Sequence, residues 1–145
     1  MKRIFIAFLV AMIAVSCIMA ASADDDITVL INGRAAEFDV PPMIISDRTM
    51  VPMRKTFEIL GAKVEWIGDM QLAVATYKSS IIAMHIGEMS FTVTNVLTGE
   101  TITYPLDVPA QIVNDRTLIP LRAVSEALGK TVSWDGNTRT ATITG

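Results

Sequence analysis

The stretch "DRTMVPMRKTFEILGAKVEW" (Asp47–Trp66) returns almost unchanged as "DRTLIPLRAVSEALGKTVSW" (Asp115–Trp134). Working outward, Val40–Thr76 aligns with Val108–Thr144 at a constant offset of 68 and without a gap, and about 16 of 37 positions are identical. Repetition at this level is the first fact to explain. Two copies are too few for a solenoid. A duplicated half-domain, with both halves built around one core, is the economical reading. The repeated phrase is then either a site made twice or a folding unit made twice.

Each copy has the same grammar. "MIIS" (Met43–Ser46) and "QIVN" (Gln111–Asn114) are short apolar extended runs, followed by the polar turn formers "SDRT" and "NDRT". A second short extended run leads to Pro52 or Pro120, where a helix begins, because proline suits the first helical turn. The helices are expected over about Pro52–Leu60 and Pro120–Leu128. Met53, Phe57 and Leu60 fall on one helical face, as do Leu121, Val124 and Leu128. Gly61 and Gly129 follow as C-terminal caps. "KVEW" and "TVSW" alternate like half-buried strands, and "QLAVATY" and "RTATIT" return beside them.

The flanking segments are strand-like too. "ITVLINGRAAEF" (Ile27–Phe38) reads as a hairpin around Asn32-Gly33. "SIIAMHIGEMSFTV" (Ser80–Val93) reads as two strands around Gly87-Glu88, and "VLTGETITYPL" turns at Thr98-Gly99-Glu100. Many short antiparallel strands with two short helices make the fold class α+β, mostly β.

The chain has 145 residues and a formal net charge of −3. Its start, "MKR" then "IFIAFLVAMIAV" then "ASA" at Ala21–Ala23, has the form of a secretory signal peptide over residues 1–23, with cleavage after Ala23. A rival reading takes "AVSC" as a lipoprotein box anchored at Cys17, although Ala14 suits such a box poorly. Residues 24–145, about 122 in all, suffice for a single domain. Cleavage removes Lys2 and Arg3 but no acid, leaving 10 basic against 15 acidic residues, about −5. That balance speaks against a nucleic-acid partner, which requires a basic face, and the remaining chain has no apolar run long enough to span a membrane. No cysteine remains for a disulfide. Export without disulfides suits a bacterial envelope protein.

Together, "INGR…PPMIISDRTMVPMRKTFEILGAKVEW" and "VPAQIVNDRTLIPLRAVSEALGKTVSWDGNTRTATIT" closely resemble the copper amine oxidase N-terminal-like domain, also called the stalk domain. The shared pattern is Asn-Gly, then Arg-Thr-apolar-apolar-Pro-apolar-Arg, then Leu-Gly-x-x-Val-x-Trp, and it covers about Ile27 to Gly145. The resemblance implies a curved antiparallel sheet packed on the helices, and a place in exported proteins of Gram-positive bacteria, alone or beside cell-wall enzymes. It does not imply oxidase chemistry, which in that family belongs to a different domain with three histidine copper ligands and a tyrosine-derived quinone. This chain has one histidine, His85, and only Tyr77 and Tyr104. No copper site, quinone or other cofactor is expected.

The candidate binding residues are Arg48, Arg54 and Trp66, with their twins Arg116, Arg122 and Trp134. The arginines could clamp a carboxylate or phosphate of a ligand. The preferred reading is a structural lattice, with Glu58 and Glu126 one helical turn after Arg54 and Arg122, and Asp47 and Asp115 bracing the turns. The tryptophans could stack on sugar rings. Sharing a strand face with Val64 and Val132, they are read first as core. Met84, His85 and Met89 could hold Cu(I), but strand alternation sends Met84 and His85 to opposite faces. No nucleophile–base or metalloprotease motif is present. The expected function is therefore an exported, non-catalytic envelope module binding a cell-wall polymer or an envelope protein. The alternatives are a wall glycan hydrolase using unrecognised carboxylates and a purely structural or assembly protein.

Overall fold

The computed structural model describes residues 26–145. The signal peptide with its cleavage after Ala23 and the alternative anchor at Cys17 lie outside the described residues. The strands are β1 Thr28–Ile31, β2 Arg34–Ala35, β3 Met43–Ile45, β4 Arg48–Pro52, β5 Lys63–Ile67, β6 Leu72–Tyr77, β7 Ser80–His85, β8 Ser90–Asn95, β9 Thr101–Pro105, β10 Gln111–Val113, β11 Arg116–Pro120, β12 Thr131–Asp135 and β13 Thr140–Thr144. Among the described residues there are two short α-helices, α1 Met53–Ile59 and α2 Leu121–Ala127. The protein is mostly β, as the alternation in its sequence predicts.

The strands form three sheets rather than one: β12-β13-β1-β2, β10-β11-β4-β3 and β5-β6-β7-β8-β9. The third is an antiparallel meander. One pairing departs from the antiparallel expectation. β1 runs parallel to β13, with Thr28 opposite Thr140 and Ile31 opposite Ile143. The buried Val29 and Ile31 lie opposite the buried Ala141 and Ile143, so the same register that aligns the strands also unites their core faces.

The middle sheet joins the two repeats. Met50 pairs with Pro120, Val51 with Ile119, and Pro52 with Leu118. Exchanging the repeats leaves this register unchanged, so the β4–β11 pair is symmetric about Val51 and Ile119. Those two residues face the main core, while Met50 and Leu118 face a second, smaller cluster with Val108. The hairpins entering this sheet turn through Ser46-Asp47 and Asn114-Asp115, all at positive φ. Two left-handed residues in a two-residue loop match the twist of the flanking strands.

Each proline is the helix N-cap, one residue earlier than expected, and is also the last residue of a sheet strand. Its fixed φ serves strand and helix alike. At the other end, Gly61 donates to the carbonyl of Glu58 (3.0 Å) and Ala62 to that of Phe57 (2.8 Å), a Schellman closure that Gly129 and Lys130 repeat. The helix faces read from spacing are buried at Met53, Phe57, Leu121 and Val124, and half-buried at Leu60 and Leu128.

Candidate functional site

The six candidate residues fall into two matching grooves of about 780 Å3 each. The first groove takes Arg54, Glu58 and Trp66 from the first repeat and Ile112, Arg116 and Thr117 from the second. The second groove takes Arg122, Glu126 and Trp134 from the second repeat and Ile44, Arg48 and Thr49 from the first. These sets interconvert by the offset of 68. Each groove therefore lies where the helix–strand part of one repeat meets the hairpin of the other.

The arginines bind the fold to itself. Arg54 donates from Nη1 to the carbonyl of Val64 (2.9 Å), and Arg122 to that of Val132 (2.7 Å). Each ties its helix to the strand that follows it. The expected pairs one turn along the helix are present but looser, Arg54–Glu58 at 3.8 Å and Arg122–Glu126 at 3.4 Å. The cation in the first helical turn is thus compensated by a strand carbonyl as well as by a carboxylate.

Arg48 and Arg116 find partners that differ from the expectation. Asp47 and Asp115 occupy the left-handed turns, and the neighbouring arginines reach only their backbone carbonyls, at 3.3 Å. The carboxylate partners are Asp107 for Arg48 and Asp39 for Arg116. Arg116 also donates from Nε to Asp39 at 3.1 Å. The Arg116 guanidinium holds the Asp39 carboxyl below its ordinary range, and Arg48 does the same to Asp107. Asp39 in turn raises the pKa of Arg116. Asp39 and Asp107 are related by the same offset and stand one residue before the Val40–Thr76 and Val108–Thr144 alignment. Extending that alignment by one residue would have found them.

The tryptophans depart from the core reading. Trp66 is 41% exposed and Trp134 37%. Val64 and Val132 are buried, but two residues on, about 7 Å along the strand, the same face opens into the groove. Each indole Nε1 lies close to the glycine of the following turn, Gly68 or Gly136. Ile112 and Ile44 complete an exposed apolar strip.

The possible copper donors diverge: Met84 is fully buried while His85 on the next position is exposed. Among the described residues no three His, Cys, Asp or Glu side chains gather as a metal would require. The tyrosines have packing roles. The amines of Lys78 and Lys130 each lie 5.2 Å from the Tyr77 ring, and these cations, Lys130 first, lower its pKa. Tyr104 stacks on Phe91 at 5.3 Å. No helix among the described residues is long and apolar enough to cross a membrane.

No curated protein matches the chain. The family model described as the copper amine oxidase N-terminal domain matches residues 30–143, from β1 to β13 and through both grooves. On that match, which runs through both sequence repeats, the chain belongs to the copper amine oxidase N-terminal domain family.

Proposed function

We propose that this protein is an exported, non-catalytic module of the bacterial cell envelope, derived from a duplicated half, that binds a cell-wall component. The observation that carries this reading is the exposed tryptophan beside an internally fixed arginine fork, present in both grooves. An indole face is a platform for a sugar ring. The forks need no ligand to hold their shape, so the walls are pre-organised.

Copper chemistry does not fit these residues. The lone imidazole is exposed, and its nearest thioether in sequence points to the opposite face of β7. Asp39 and Asp107 do not suit the acid role of glycan hydrolysis either. A general acid needs a raised pKa, whereas Asp39 and Asp107 are held low by their arginines. A protein partner is the second reading, favoured by the β8–β9 hairpin. Val96, Leu97 and Ile102 are exposed there, Leu97 by 82%, and β9 is an edge strand of its sheet.

Co-sedimentation with purified, protein-free cell wall tests the proposal. The chain without residues 1–23 should pellet with the wall, and Trp66→Ala with Trp134→Ala should leave it in the supernatant with an unchanged melting temperature. Failure of the parent protein to pellet sinks the wall reading. Retention that instead requires Leu97 moves the function to the hairpin.

A further inference from the structure

We propose that the two grooves are equivalent sites for an uncharged glycan, so that one molecule binds two glycan segments at once. This rests on the wall-binding reading and deepens it in two respects, the charge of the ligand and the number of sites.

The charge follows from how the cations are used. Arg48 and Arg116 are each paired with an aspartate, and Arg54 and Arg122 each with a carbonyl and a glutamate. Acids outnumber bases along both walls, by five to three in the first groove and three to two in the second. An anionic wall polymer would meet no uncommitted guanidinium, a single free-standing ammonium at Lys55 in the first groove, and an excess of carboxylate in both. A neutral sugar avoids that repulsion. It can place a ring on Trp66 or Trp134 and its hydroxyls against carboxylates already fixed in position. A groove of about 780 Å3 lies within the range of small-molecule clefts.

The number follows from the register. The pairing of β4 with β11 is unchanged when the repeats exchange, and the grooves follow suit: Trp66 and Ile112 line the first, and their equivalents Trp134 and Ile44 line the second. The rims differ: the first groove carries Glu37, Lys55 and Glu65, while Pro105 and Ala123 stand in the second. The two sites therefore share a ligand class and differ in strength.

Calorimetric titration with a short, uncharged oligomer of N-acetylglucosamine, alongside a poly(glycerol phosphate) of similar length, provides the test. The expected result is two sites for the sugar and no binding of the phosphate polymer. Trp66→Ala and Trp134→Ala should each leave one site, and the double variant none, with melting temperatures confirming folded protein throughout. On insoluble chitin, each single variant should lose about 10-fold or more in apparent affinity, because loss of the second attachment removes avidity. One sugar site abolished by a single tryptophan change overturns the bivalency and leaves the wall-binding reading standing. Binding of the phosphate polymer in place of the sugar overturns the inference on charge. Binding of neither, with no retention on whole wall, overturns both.

Discussion

Asp39 and Asp107 each accept hydrogen bonds from an arginine that belongs to the opposite repeat. The pairs are exposed, so their individual contribution is small, but their pKa shifts give a readable signature. Both folded-state values lie below the ordinary 3.8. Their contribution to stability is therefore fully present above about pH 4 and is lost as pH falls through the lowered folded values. The melting temperature should decline below about pH 4, less steeply in high salt, and Asp39→Asn with Asp107→Asn should flatten the decline. An unchanged slope in the double variant would remove these pairs from the account. At this scale the sequence was only partly legible. The i,i+4 partners of Arg54 and Arg122 follow from helical spacing. The bonds to Val64 and Val132 do not, because they depend on how the helix lies on the next strand. Nor does the exposure of the tryptophans, since alternation tells which face a side chain takes but not how far along the strand that face stays covered.

At the scale of elements, local chemistry decides nearly everything. Asn32-Gly33, Ser46-Asp47 and Asn114-Asp115 all form two-residue turns at positive φ, as short polar residues tolerate. The helices run seven residues each, too short to persist alone, and they depend on the strands before and after them. Their stop signal is testable in isolation. Gly61 has φ +92°, and nothing lies within 4 Å of the point where a β-carbon would stand. Gly61→Ala should therefore destabilise through backbone conformation alone, by about 1 kcal/mol. Gly61→Asn should cost less, because asparagine tolerates the left-handed region better. Denaturant unfolding of both variants checks this, and equal losses would point to a packing cause instead. The prolines show the limit of element reading. Spacing puts them at the helix start, but each also ends a sheet strand, a double role that the pairing of β4 with β11 reveals.

For the whole molecule, the β4–β11 seam is symmetric in register, and the two grooves draw equivalent residues from both sequence repeats. Much of this could be anticipated from the offset of 68. What could not was the different use of the two trailing hairpins. β6 continues into β7 of the meander, whereas β13 takes β1 in parallel from the far end of the chain. Such a long-range choice leaves no local periodicity to read. The grooves were hidden for the same reason, since each combines residues from both repeats that the alignment sets side by side only as equivalents, never as neighbours.

The chain contains two tryptophans, and one stands in each groove. A nitrogen–proton correlation spectrum should therefore show two indole Nε1–H signals that report the two grooves separately. Titration with soluble, uncharged wall fragments tests the account at its centre. Both indole signals should move, together with the backbone amides lining each groove, while the β8–β9 hairpin stays unchanged. Stationary indole signals, with shifts confined to the hairpin around Leu97, would contradict it.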